Sequence, residues 1–152
     1  MLLRRLCALW LSCYSYRQYL EWTLLHLAPE VCWVGANWEG FVIEQLINHL
    51  KFSDRVVTPY YLRTSDQHEI GVLLDFGRTL WAIEVTLTSS PDSDTARRLN
   101  KTADLVSADR RIIVSRTEET VTTDAFVSTN LTGMLELLRT LSAASLFHVG
   151  ML

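Results

Sequence analysis

The chain has 152 residues, which fits a single domain of ordinary size with one hydrophobic core. Hydrophobic residues make up 49% and charged residues 20%, a composition that excludes both a disordered polymer and a coiled coil. The net charge of −3 excludes a protein that binds nucleic acid through its overall charge alone. Lys51 and Lys101 are the only lysines, which restricts any chemistry that needs a lysine at a fixed place.

The first 28 residues carry apolar side chains at spacings of three and four, a pattern that predicts an amphipathic helical segment. The stripe comprises Leu2, Leu6, Leu9, Cys13, Tyr16, Leu20, Leu24 and Leu27. Aromatic residues are dense from Trp10 to Trp22, so this face either packs on the domain or binds a protein partner or a second copy of the chain. We therefore predict a helical extension over residues 1–33 and the main domain over residues 34–152.

The N-terminal third of the chain also predicts the cellular compartment of the protein. A basic start followed by a short apolar run imitates a secretory signal, but the run is shorter than the 20 or so apolar residues of a membrane span. The three cysteines, Cys7, Cys13 and Cys32, have the spacing of neither a zinc site nor a C-x-x-C redox site. Free thiols in a reducing compartment are the simpler interpretation, so we expect a cytoplasmic protein without a membrane role.

The middle of the chain predicts a helix followed by a three-stranded meander. The Asn37 side chain can cap free backbone amides, so a helix is expected to start there and to end before Ser53. Residues Phe76–Thr79 predict a hairpin connection between two of the strands. The expected strands are Tyr60–Arg63, Ile70–Leu74 and Leu80–Val85.

The last third predicts a second helix, short strands and a closing helix. Turn and cap residues over Ser89–Asp94 introduce a helix at Thr95–Val106. Arg111–Ser115 is expected to be a buried strand and Phe126–Val127 a further short one, before a helix at Leu131–Ala144. Helix, meander, helix, strand and helix together predict an α/β sandwich.

Two carboxylates interrupt the apolar strands of the meander. Glu69 opens the second strand and Glu84 lies within the third, where a buried carboxylate is unfavourable unless it is paired, bound to a metal or turned to solvent. A functional reason would be Mg²⁺ held by carboxylates on neighbouring strands, with a lysine two residues after the second carboxylate to stabilise charge on a phosphate.

Four motifs resemble a known family, the C-terminal domain of unknown function of bacterial AAA-type ATP-binding proteins. They are Trp38–Glu44, Tyr61–Thr64, Glu69–Leu74 and Trp81–Val85, and the similar order of elements runs from about Val34 to Arg139. The resemblance implies a restriction-endonuclease-like PD-(D/E)XK fold, a central mixed sheet flanked by helices. No G-x-x-x-x-G-K-[ST] phosphate loop occurs in this chain, so only the C-terminal half of such proteins is resembled.

The family pattern has a Glu on the first helix, E-[VI]-D on the second strand and E-[VI]-K on the third. Glu39 and Glu84 match the helix and third-strand carboxylates, and they would be the ligands of any metal. Gly71 stands in place of the metal-binding Asp, and Thr86 in place of the Lys. The resemblance therefore implies a vestigial site, because glycine offers no ligand and a threonine hydroxyl carries no charge.

The leading functional prediction is a non-catalytic recognition or interaction module with no cofactor. The alternative is a Mg²⁺-dependent DNA nuclease with a rearranged site, in which Glu69 and Lys101 replace the missing groups. For Lys101 and the nearby Arg97 and Arg98, a solvated helix face is the simpler interpretation. A nucleic-acid partner is conceivable but receives no support from the composition.

Overall fold

The computed structural model describes residues 2–5, 32–53, 56–63 and 69–146, with side chains over 38–53, 56–63 and 69–140. Three helices are present in these ranges: α1 at Cys32–Lys51, α2 at Ser93–Leu105 and α3 at Leu131–Leu146. The strands are β1 at Leu2–Arg5, β2 at Thr58–Arg63, β3 at Glu69–Asp75, β4 at Leu80–Val85, β5 at Arg110–Val114, β6 at Val121–Thr122 and β7 at Val127–Thr129.

The described strands form one seven-stranded mixed sheet in the order β1-β2-β3-β4-β5-β7-β6. Strands β1 to β4 pair antiparallel, β5 lies parallel to β4, and β7 lies parallel to β5. Helix α2 connects the two parallel strands β4 and β5, as such a crossover requires. The predicted α/β architecture with a mixed sheet flanked by helices is confirmed.

Helices cover both faces of the sheet because its central strands are apolar on both sides. On one face, α1 and α3 pack in a core that includes Val42, Leu46 and Met134. On the other face, α2 packs through Ala96, Leu99 and Ala103. The buried apolar residues of each helix therefore face the sheet.

The hairpin between β3 and β4 fixes the register on which the candidate site depends. Gly77 has φ +80°, a left-handed conformation that glycine adopts without steric penalty, and its N–H donates to Asp75 Oδ1 at 2.7 Å. Val72 then lies opposite Ile83 and Leu73 opposite Ala82. Continuing this antiparallel register by one residue places Gly71 opposite Glu84.

Two local predictions differ from the structure. Helix α1 begins at Cys32, so Asn37 is an interior helical residue and not the predicted cap. The least favourable helix residue between Cys32 and Asn37 is Gly35, and a single glycine lowers helix stability without ending a helix. The short strand Val121–Thr122 was not predicted, because two exposed residues give no periodic signal.

The predicted N-terminal helix differs from the structure at the few N-terminal residues that the structure describes. Leu2–Arg5 forms an extended strand, because it pairs antiparallel with the outer strand of the meander, Leu2 opposite Arg63 and Arg5 opposite Tyr60. Backbone pairing with β2 here overrides the helical spacing of the leucines. Residues 6–31, and with them the aromatic stretch, lie outside the described residues, and the boundary at residue 33 stays a prediction. Across the described ranges, no helix combines the length and the apolarity that a membrane crossing needs.

Candidate functional site

Polar and charged side chains from four elements meet in a cavity of about 320 Å³ beside the start of β3 and the end of β4. Its lining consists of Glu39, Glu69, Gly71, Glu84, Val85, Arg98 and Leu99. Glu39 comes from α1, Glu69 and Gly71 from β3, Glu84 from β4 and Arg98 from α2. The structure therefore brings together Glu39, Gly71 and Glu84, three of the four positions at which the sequence was compared with the family pattern. Glu69, predicted as a substitute ligand, lies there too.

The Glu39 carboxylate occupies the space that a side chain at position 71 would need. A Cβ atom built on Gly71 would lie 2.7 Å from Glu39 Oε1 and 3.7 Å from Glu39 Cδ. Contacts below 3.0 Å are essentially unknown for real Cβ atoms, so this helix carboxylate approaches the strand only because residue 71 is a glycine. The glycine at position 71 and the position of the Glu39 carboxylate are thus physically coupled.

A hydrogen bond from α1 to the end of β4 fixes the position of Glu39. The indole Nε1–H of Trp38, the preceding residue, donates to the carbonyl oxygen of Thr86 at 3.1 Å. The N–H of Thr86 in turn donates to the Val114 carbonyl at 2.9 Å, which ties this end of β4 to β5. Thr86 itself is not among the lining residues, so its backbone, and not its hydroxyl, contributes to the site. Trp38 opens the first sequence motif, but this hydrogen bond was not predicted, although the N–H of a buried indole usually finds an acceptor.

Burial and mutual repulsion favour the protonated forms of two cavity carboxyls, those of Glu39 and Glu84. The pKa of Glu84 is raised to about 7, first by burial and then by the negative charge of Glu39, while the charge of Arg98 lowers it. The pKa of Glu39 is also raised, first by burial and then by Glu69. Burial and the adjacent Glu69 carboxylate raise the pKa of Tyr61 to about 12. Such pKa shifts occur at functional sites and also in structural networks of charged groups.

The cation of the cavity is an arginine on α2 and not the predicted lysine. Lys101 does not line the cavity, whereas Arg98 does. Arg97, Arg98 and Lys101 are all exposed, as predicted for a solvated helix face, but Arg98 also borders the buried stripe of α2 beside Leu99. The position of Arg98 next to the buried stripe was the one sequence feature that could have placed it at the cavity. Glu69 has a separate cation, since Arg63 lies directly opposite on β2 with Nε 4.0 Å from Glu69 Oε2.

The lining residues do not fit a magnesium site in this arrangement. Mg²⁺ requires near-octahedral oxygen ligands at about 2.0–2.1 Å. In residues 38–53, 56–63 and 69–140, no group of three or more Asp, Glu, His or Cys side chains is placed to hold a metal ion. Gly71, opposite Glu84, contributes no ligand atom. The carboxylates share a cavity without forming a coordination sphere.

This fold and this cavity define a mixed α/β domain with a polar site at one end of its central strands. A model of one protein family matches residues 34–133, about two thirds of the chain, including all four sequence motifs. The chain therefore belongs to the family described as Domain of unknown function (DUF4143). No curated protein matches the chain.

A double-mutant cycle tests the coupling between Glu39 and Gly71. In a Glu39→Ala background, Gly71→Ala should raise the free energy of unfolding by about 0.5–1 kcal/mol, because alanine restricts the unfolded chain more than glycine does. In the wild-type background this gain should disappear or reverse, since the new Cβ displaces the Glu39 carboxylate. Urea unfolding of the four proteins measures the coupling. An equal gain in both backgrounds would show that Glu39 does not occupy this space.

Proposed function

We propose that this is a nuclease-like α/β domain that has lost its catalytic set and works as a recognition or interaction module. The single observation that carries the proposal is Gly71 opposite Glu84, in the space now taken by the Glu39 carboxylate. A PD-(D/E)XK site needs a second strand carboxylate and a lysine, and this chain has Gly71 and Thr86 at those two positions. Losing one member of such a set lowers the rate by orders of magnitude, and losing both leaves little to drive hydrolysis.

The resemblance to the C-terminal part of bacterial AAA-type ATP-binding proteins suggests the kind of protein in which such a module works. In this proposal the partner is a protein, bound through the aromatic stretch Trp10–Trp22, and a second copy of the chain is the other candidate on that surface. Nucleic acid is the weaker candidate, because the net charge of −3 opposes binding to phosphates. The cysteine spacing supports a cytoplasmic location.

A cleavage assay tests the proposal. The full chain is incubated with supercoiled plasmid or single-stranded DNA and either Mg²⁺ or Mn²⁺, beside a Glu84→Ala variant. We expect the wild type to cleave no more DNA than the variant, because Glu84 lacks an opposing strand carboxylate. Cleavage by the wild type that Glu84→Ala abolishes would contradict the proposal.

The second candidate function is a Mg²⁺-dependent DNA nuclease with a rearranged site. One observation favours it: Glu39, Glu69 and Glu84 line the same cavity as Arg98, so acidic groups and a cation are both present. In that case Arg98 would take the charge-stabilising role of the missing lysine in place of Lys101. The poor fit of the lining residues to Mg²⁺ makes this the weaker candidate, and the same assay separates the two.

A further inference from the structure

The outer edge of β2 pairs with a strand that the remainder of the sheet does not depend on. Along its other side β2 pairs with β3, and its Leu62 side chain is fully buried in the core beneath α2. On the outer side β1 covers only Tyr60–Arg63 and stops short of Pro59, which has no N–H to donate. Within sheets proline is confined to edge strands, strand starts and bulges, so β2 can itself be the last strand of the sheet.

The residues of β1 favour a helix more than a strand. Leu2–Arg5 has the sequence Leu-Leu-Arg-Arg, and both residue types rank among the strongest helix formers. Strands are instead enriched in β-branched and aromatic residues, and they are usually about five or six residues long. Backbone pairing with β2 therefore holds β1 extended, and an element held in this way opens more readily than the core.

The connection from β1 to the following element is long. Residues 6–31 separate β1 from α1, whereas residues 76–79 alone join β3 to β4. A longer connection lowers the effective concentration of a tethered strand at the edge that it occupies. A strand from another molecule therefore competes with β1 more easily than with any strand of the hairpin.

The pairing register shows which side-chain chemistry the outer edge of β2 accepts. The two leucines of β1 lie opposite Arg63 and Leu62, and its two arginines lie opposite Tyr61 and Tyr60. Like charges directly opposite one another destabilise a strand pair, so an apolar residue suits the place opposite Arg63. A guanidinium can stack on a tyrosine ring, so a basic residue suits the places opposite the tyrosines. The negative charge of Glu69, which contributes to the raised pKa of Tyr61, also favours a cation there.

We infer that the outer edge of β2 is a docking site for an extended segment of a protein partner, apolar opposite Arg63 and basic opposite Tyr61 and Tyr60, which β1 occupies in the free chain. The incoming strand replaces one set of backbone hydrogen bonds with another, as in other cases of strand addition to a sheet edge. The inference goes beyond the proposed function, because it names a second surface and holds whether or not the cavity is inactive.

Fluorescence anisotropy with a labelled synthetic peptide tests the inference on the full chain. The probe has the sequence of residues 1–6, Met-Leu-Leu-Arg-Arg-Leu. The variant Leu3→Pro/Arg4→Pro should free the edge, because one of two adjacent residues in an antiparallel strand donates its N–H to the partner strand. We expect this variant to bind the peptide about tenfold or more tightly than the wild type, in which β1 competes. Leu3→Ile/Arg4→Lys is the matched control, since it keeps both amides and both side-chain classes, and it should bind no more tightly than the wild type.

A second peptide of the same composition, Met-Arg-Arg-Leu-Leu-Leu, tests the chemistry of the edge. It should bind the proline variant about fivefold or more weakly, because an arginine then lies opposite Arg63. Equal binding of the two peptides, equal affinity of proline variant and wild type, or no binding by the proline variant would overturn the inference. A wild-type dimer that the proline substitutions disrupt would also overturn it, since a second copy would then supply the strand.

Hydrogen exchange of the wild type keeps the inference testable if the proline variant does not fold. The slowest amide of Leu3–Arg5 should exchange about a hundredfold or more faster than that of Leu73 in the centre of the sheet, because β1 opens without global unfolding. Equal protection would mean that β1 does not open separately and would overturn the inference. DNA cleavage that depends on Glu84 would contradict the proposed function and leave this inference standing.

Discussion

Glu84→Gln should make the folded domain more stable at pH 8 and flatten the dependence of its stability on pH. Burial raises the pKa of Glu84 to about 7 from the ordinary 4.5, so the folded state binds more protons than the unfolded state between these values. The free energy of unfolding must then fall as the pH rises from about 4.5 to 7. A shift of this size corresponds to roughly 3 kcal/mol, which sets the upper range of the expected gain.

Urea unfolding of wild type and variant at pH 5 and pH 8 measures this effect. Glutamine resembles the protonated glutamic acid in shape, so the two proteins should differ little at pH 5 and most at pH 8. Glu119→Gln, at an exposed loop position, is the matched control and should keep the wild-type change between the two pH values. Parallel pH profiles for wild type and Glu84→Gln would show that Glu84 is not desolvated in the folded protein.

Trp81→Ala should destabilise the domain more than any change in the cavity. The Trp81 side chain is 1% exposed in the core beneath α1 and α3, and its ring centroid lies 5.2 Å from that of Phe76. The Arg110 guanidinium lies 4.9 Å from the ring centroid, which adds a cation–π contact. Truncating a buried tryptophan leaves a large cavity and costs about 3–5 kcal/mol.

A thermal melt followed by circular dichroism measures this loss. For a domain of this size we expect the melting temperature to fall by roughly 6–20 °C. Phe52→Ala is the control, since that ring is 91% exposed just after α1 and its removal should change stability by at most about 0.5 kcal/mol. Equal melting temperatures for Trp81→Ala and Phe52→Ala would refute the packing described for β4.

The cavity joins strand positions to helix residues that are distant in sequence. Glycine at position 71 leaves no hole, because the Glu39 carboxylate fills the space from α1. Arg98 lines the same cavity from α2 and places a cation beside the three carboxylates.

The sequence by itself determined the three strands of the meander and the hairpin between the last two of them. The apolar runs at Leu80–Val85 and Ile70–Leu74 and the turn at Gly77 act over a few residues, so local pattern was sufficient to find them and to place Gly71 near Glu84. The tertiary structure alone decided which residue of α2 reaches that pair. Arg98 and not Lys101 enters the cavity because packing of Leu99 fixes the rotation of α2, and Leu2–Arg5 is a strand because β2 offers an open edge. Side-chain spacing along one element carries no information about such contacts between elements.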